Sequence, residues 1–306
     1  MRLNQILVSN EELEIKINGP EEFSNLGTLL SDEDSLLSFA ASPDYFHSAL
    51  EKDNLVALFV KKGFVTGTHS DVSFIFSERP MVDFFLFHNY LAQNTEFYGT
   101  EKPTQISGTA KIHPTAFVAK TNVEISDGVT ISPKAVILEN TIIQADVYIG
   151  SGTVIGIDGT QTIPFDGRRH FRITHAGGVF VGEGTFVGAN SVIVKSLFRE
   201  YSMIGTNVTI GNLVNIGHNT RIGDDSIILA NSVVCGSATV ERGARISPGA
   251  TISSSKSVGE NAWITIGAVV TKDVEKGQRV SGNFAIEHRK LVDHIKRLSR
   301  AQDEHS

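Results

Sequence analysis

The sequence predicts a mainly β chain: a three-sided parallel β-helix, preceded by a small α/β domain and followed by a short helix. The first observation is a rhythm. Ile204, Ile210, Ile216, Ile222, Ile228, Val234, Val240, Ile246, Ile252, Val258, Ile264 and Val270 put a branched aliphatic at every sixth position. Neither a helix nor an ordinary strand sustains that period, whereas a coil of three flat sides with one inward aliphatic per side does. The second observation is that the rhythm begins earlier, at Ile106, Ile112 and Val118. It resumes after a one-residue slip at Ile125, Ile131, Ile137, Ile143, Ile149 and Ile155, and again at Val181, Val187 and Ile193. The interruptions, Gly156 to Val181 and Ile193 to Ile204, are expected as loops on one face, where solenoids usually carry function.

Residues 1–103 lack the rhythm. They mix strand-like runs (Leu55 to Val60, Val72 to Phe76) with a helical stretch from Met81 to Leu91, which reads as a small α/β domain. Tyr98 to Gln105, with Gly99 and Pro103, reads as a linker, and residues 104–276 as the coil. Residues 277–306 form an extension in which Leu291, Ile295 and Leu298 share one face of an amphipathic helix decorated by Arg289, Lys290, Lys296, Arg297 and Arg300. That helix caps the last coil, contacts a trimer partner, or docks an acidic carrier domain.

Composition bounds the function classes. At 306 residues and 41% hydrophobic content the chain suits a globular protein of more than one domain. No leader-like start and no window of roughly 20 apolar residues is seen, so a cytoplasmic location without a membrane span is expected. The net charge of −7 argues against bulk nucleic-acid binding. Cys235 is the single cysteine, which excludes an internal disulfide; beside Val234 it reads as a packed or corner thiol.

The chemistry is expected at His218, in the segment Gly211 to Asp224, because imidazole is the side chain best poised to accept a proton near neutral pH. Three six-residue sides make one turn, so Gly236 falls beside His218 at the ~4.8 Å spacing of parallel strands. A glycine there permits close approach, and its N–H could stabilise an oxyanion. The same column continues through Ser254 and Lys272, a candidate groove for a thiol-linked acyl donor.

The chain resembles the UDP-3-O-(3-hydroxyacyl)glucosamine N-acyltransferases of lipid A synthesis. Asn212 to Asn219 is similar to that family's catalytic motif and Gly156 to Gly178 to its substrate-covering loop. Leu37 to Tyr45 is similar to its uridine-binding segment, in which Phe39 and Tyr45 would sandwich the base beside Ser42. The resemblance implies a left-handed coil, a homotrimer with sites between subunits, His218 as general base, Gly236 as oxyanion donor, and Asn215 and Asp158 as sugar contacts.

Departures from the family are expected to matter. Gly211 stands where the family has an acid, so whatever orients His218 must come from elsewhere, with Glu200 one candidate. Trp263 and Ile266 replace a stretch that leaves room for a long acyl chain, and the ending Val280 to Ala285 looks more like short-chain sugar acetyltransferases. The expected activity is transfer of a short acyl group from acyl-CoA to the amine of a UDP- or dTDP-linked amino sugar, with no tightly bound cofactor. The alternatives are a long hydroxyacyl chain delivered by acyl carrier protein, a scaffold role, and a zinc site at His170 and His175, which two histidines alone do not make.

Overall fold

A computed structural model describes residues 1–8, 10–11, 13–65, 67, 71–167, 169–282, 287 and 289–290. The expected C-terminal amphipathic helix lies outside the described residues but for Arg289 and Lys290. The N-terminal unit is a five-stranded sheet of β1 (Glu14–Lys16), β2 (Asn25–Leu26), β3 (Leu36–Phe39), β4 (Leu55–Val60) and β5 (Ser73–Phe76), in the order β1-β5-β4-β3-β2. Strands β2 to β5 run parallel and β1 closes the edge antiparallel. Helix α1 (Pro43–Leu50) follows β3 and α2 (Pro80–Asn94) follows β5; each begins on a proline, whose fixed φ suits the first turn and whose missing N–H has no partner to lose there. Both faces of the sheet are buried, which explains why β4 reads Leu-Val-Ala-Leu-Phe-Val without alternation.

Residues 105–280 wind into a parallel β-helix, interrupted by a hairpin. Its three sides are sheets of 9, 8 and 8 strands. We call them the first side (from Lys111–Ile112 to Arg279–Val280), the second (Phe117–Val118 to Val269–Val270) and the third (Gln105–Ile106 to Ser257–Val258). The register is eighteen residues per turn, Asn215 pairing with Val233, Val233 with Thr251 and Thr251 with Val269. Every aliphatic of the long six-residue series from Ile204 to Val270 is buried in one continuous core. Truncating one to alanine costs about 2–5 kcal/mol.

The corners have a period of their own. Asn207, Leu213, Asn219, Asp225, Asn231, Ser237, Gly243, Gly249, Ser255, Asn261 and Gly267, six apart, all have positive φ between 54° and 68°. Glycine, asparagine and aspartate tolerate this left-handed conformation best. The residue after each but Ser255 is buried and mostly small, as at Ala238, Ala244, Ala250 and Ala262, because the corner brings it against the coil below.

Gly156 to Val181 leaves the coil as a hairpin, Thr162–Asp166 against Arg169–Arg172, which packs on α2. Asn89 Nδ2 donates to the Arg172 carbonyl at 2.8 Å and the Thr174 N–H donates to Asn89 Oδ1 at 2.8 Å. Ile163, Ile173, Leu197 and Phe198, all from the two interruptions, join the core formed by Phe84, Phe85 and Phe87. The breaks in the repeat are therefore the surface on which the N-terminal unit sits. Tyr98, at the start of the expected linker, is anchored by its hydroxyl to His88 Nδ1 at 2.6 Å.

Candidate active site

His218 lies at the corner between the second and third sides, followed by Asn219 in the left-handed conformation (φ 55°). Asn219 Oδ1 lies 3.1 Å from His218 Nδ1 and also accepts the Leu197 N–H at 3.0 Å. An amide oxygen can only accept, so Nδ1 carries the proton and the lone pair is on Nε2. Burial holds the His218 pKa below the usual 6.5, opposed by the Asn219 hydrogen bond. At neutral pH the ring is an uncharged base.

Gly236 is where the register puts it. A β-carbon built on Gly236 would stand 2.3 Å from His218 Nε2 and 2.6 Å from Cε1, so the imidazole lies over the glycine α-carbon. Gly236 does not have positive φ; it is needed for room, not for conformation. Among the described residues no acceptor takes its N–H, because this corner position falls between ladder hydrogen bonds. A base nitrogen and a free amide donor thus stand side by side.

A second imidazole, not expected from the sequence as part of the site, comes from the hairpin loop. His175 is 1% exposed and its ring centroid is 5.7 Å from that of His218, at 72°. Its Nδ1 donates to the Ile173 carbonyl at 3.2 Å, while Nε2 is buried without a partner and faces Gly159, where a β-carbon would come within 2.7 Å. Burial lowers its pKa to about 4, aided by His218 and Lys195 and opposed by Asp158 and the Ile173 bond. The other histidine of the pair, His170, is exposed on the hairpin. Among the described residues no group of three or more His, Cys, Asp or Glu could hold a metal ion.

Of the expected sugar contacts, Asp158 pairs with Lys195 Nζ at 2.9 Å beside His175. Asn215 is exposed on the second side, one strand before the His218 corner. Phe39 ends β3 and packs on Phe84 and Phe85, centroids 5.0 and 5.5 Å away. Ser42 caps α1, its Oγ accepting the Tyr45 N–H at 3.3 Å, and Tyr45 is 60% exposed on the first turn. These residues and the loop after β2 share the carboxyl edge of the parallel strands, where open α/β sheets bind ligands. A pocket of 340 Å³ lies between Thr28, Leu30 and Ser31 of that loop and Asn219, Ser237 and Ser255 of the coil; Phe39, Ser42 and Tyr45 are not among the residues that line it.

The residues expected for the acyl groove fall into two places within one chain. Ser254 and Lys272 follow Gly236 in the eighteen-residue column, but Trp263 lies on the first side and Ile266 at the corner between the first and second sides. Within one chain Trp263 and Ile266 thus occupy a different side and a different corner of the prism from Ser254 and Lys272. The Trp263 indole is held between the guanidinium groups of Arg279 and Arg245, 4.0 and 5.5 Å from its ring, and donates to Ser247 Oγ at 2.9 Å.

Within the coil, residues 219–254 match the family described as bacterial transferase hexapeptide (six repeats). Over 209 residues the chain is 28% identical to the UDP-3-O-acylglucosamine N-acyltransferase of Acinetobacter baylyi, an alignment covering 57% of this chain and 56% of that protein. The chain thus spans just over half the length of this curated relative. Among solved structures it is similar to the UDP-N-acetylglucosamine acyltransferases of Campylobacter jejuni (TM-score 0.49, 22% identity, 65% of this chain and 81% of that one) and Francisella novicida (0.48, 21%, 62% and 71%). Among the described residues no helix is long and apolar enough to cross a membrane.

Proposed function

We propose that the chain is an N-acyltransferase that moves an acyl group from a thioester, acyl-CoA or acyl carrier protein, to the amino group of a UDP- or dTDP-linked amino sugar. The observation that carries this reading is His218 Nε2 poised over Gly236, with the Gly236 N–H unclaimed. The amine attacks the thioester carbonyl and gives a proton to His218 Nε2 as the C–N bond forms. The oxyanion is held by the Gly236 amide; its collapse breaks the C–S bond, and the proton on His218 passes to the departing thiolate. No covalent enzyme intermediate is required. The name of the A. baylyi relative supports an amine acceptor on a UDP-linked sugar. Phe39 and Tyr45 would hold the base, supplying binding energy remote from the reacting centre. The case for a short acyl chain is the bulk of Trp263 and Ile266 together with the ending Val280 to Ala285, and the choice of donor in the test decides it.

The test is thiol release from acetyl-CoA, 3-hydroxybutyryl-CoA and long-chain 3-hydroxyacyl carrier protein, each with UDP- and dTDP-linked amino sugars, run beside His218→Ala. Acceptor-dependent release lost in His218→Ala is expected, and the best donor fixes chain length. Release in no combination, or release unaffected by His218→Ala, overturns the reading.

A further inference from the structure

Glu200 lies in the second interruption and is partly buried. Its two carboxylate oxygens are taken by neutral donors: Ser31 Oγ donates to Oε1 at 2.6 Å and Asn219 Nδ2 donates to Oε2 at 3.1 Å. Among the described residues it makes no ion pair; neighbouring Arg199 points instead to the Ser24 and Phe97 carbonyls, Asn25 Oδ1 and the Phe97 ring. Withdrawing a carboxylate from water without a cation is costly, so a chain that only needed to brace a loop would do better with a neutral side chain. The left-handed corner accounts for asparagine at 219, since the equivalent corners of other coils also carry Asn, Asp, Ser or Gly. It does not account for the acid.

We propose that Glu200 is a positioning residue for His218, acting through the Asn219 amide, and that Ser31 makes this positioning depend on the seating of the N-terminal unit. The inference rests on His218 being the base. The connected bonds run Ser31 Oγ–H to Glu200 Oε1, Asn219 Nδ2–H to Glu200 Oε2, and His218 Nδ1–H to Asn219 Oδ1. An amide has one orientation that satisfies both neighbours, and Glu200 holds Asn219 in it, so that Oδ1 faces the imidazole. When His218 takes a proton, the new charge faces an amide polarised by the carboxylate beyond it, which strengthens the chain of hydrogen bonds. Ser31 is 5% exposed and its loop is pinned by Lys52 Nζ, which donates to the Leu29 and Ser31 carbonyls at 2.8 and 2.9 Å, and by Asn54 Nδ2, which donates to the Ser31 carbonyl at 3.2 Å. The loop follows β2, on the sheet edge that carries Phe39 and Tyr45. A shift of that edge on nucleotide binding would be felt at the base.

The experiment uses the full chain and two readouts. Imidazole ¹⁵N NMR reports the His218 tautomer without any substrate, and steady-state kinetics with the active donor and acceptor separates kcat from KM. In wild type the Nδ1–H tautomer is expected. Glu200→Ala should populate the Nε2–H tautomer and lower kcat about ten- to hundredfold with KM nearly unchanged, the scale of losing one charge-assisted hydrogen bond. Glu200→Gln, which can still accept from Asn219 and donate to Ser31, should restore the tautomer but only part of kcat, because the charge that polarises the Asn219 amide is missing. Ser31→Ala should shift the tautomer in the same direction by less. A merely bracing role predicts loss of folding stability with the tautomer unmoved, and that result in Glu200→Ala overturns the proposal. If no donor–acceptor pair reacts, the tautomer still decides for or against the relay, so its failure is distinguishable from failure of the acyl-transfer reading.

Discussion

The His218 imidazole occupies the space where a Gly236 side chain would be, its Nε2 2.3 Å from the position of a β-carbon there. A methyl group must push the ring away, because the clash is with the ring and not with a flexible chain end. Gly236→Ala is therefore expected to lower kcat/KM about a hundredfold, the scale of a misplacement near 1 Å. The backbone at 236 suits any residue, so the urea midpoint should move little. Activity assays beside equilibrium unfolding check both halves. A fully active, correctly folded Gly236→Ala would rule out the ring position.

Burial of three histidines makes both activity and stability sensitive to acid. His218 is held below 6.5, so the acid limb of kcat/KM is expected below pH 6.5. His88 and His175 each have a pKa of about 4 in the folded chain, lowered chiefly by burial, against 6.5 when unfolded. Folding disfavours their charged forms. Their contribution is thus fully present above pH 6.5 and is lost as pH falls from 6.5 toward about 4. At pH 5 each should have cost about 2 kcal/mol relative to pH 7. Urea unfolding at the two pH values measures the sum, and His175→Gln should remove about half of the difference. Equal stability at pH 7 and pH 5 would contradict the buried, neutral state of both rings.

The two aromatics expected to hold a nucleotide base differ in what else they do. Tyr45 is 60% exposed and makes no ring contact among the described residues, whereas Phe39 packs on Phe84 and Phe85. Tyr45→Ala should raise KM for the nucleotide sugar about tenfold, as loss of one base–aromatic stack does, with the unfolding midpoint unchanged. Phe39→Ala should raise KM and also cost about 2 kcal/mol of stability. Acceptor titrations with both variants decide; unchanged KM in Tyr45→Ala would remove it from the site.

What the sequence made legible was periodic. The aliphatic series located the coil, its register and the Gly236 neighbour of His218, because eighteen residues per turn is arithmetic. The corner series from Asn207 to Gly267 was present in the same residues and signals the same period by a different cause, tolerance of positive φ. Contacts that depend on the two interruptions were less legible: Glu200 stood out as a candidate to orient His218, but its route through Asn219 did not. His175 reaches His218 only because the hairpin folds back over Gly159, and Glu200 meets Asn219 only because the Ile193 to Ile204 break turns it inward. No spacing rule covers a loop. The period was also enough to put Trp263 and Ile266 on another side and another corner of the prism than His218 within one chain.

The corner series also exposes one residue that breaks its rule. Leu213 has φ 58°, where the equivalent positions carry Asn, Asp, Ser or Gly, and its side chain is 58% exposed. A branched side chain in the left-handed region costs about 1–2 kcal/mol, and little burial within the chain offsets it. Leu213→Asn should therefore stabilise the chain by about 1 kcal/mol, read as a higher urea midpoint with an unchanged slope. Stability that stays level or falls would show that the strain is already compensated by packing around the corner. Should the variant gain stability and lose acyl transfer, the leucine is retained at the expense of the fold for what its exposed side chain touches when the site operates, since Leu213 lies five residues before His218, at the corner before the strand leading to it.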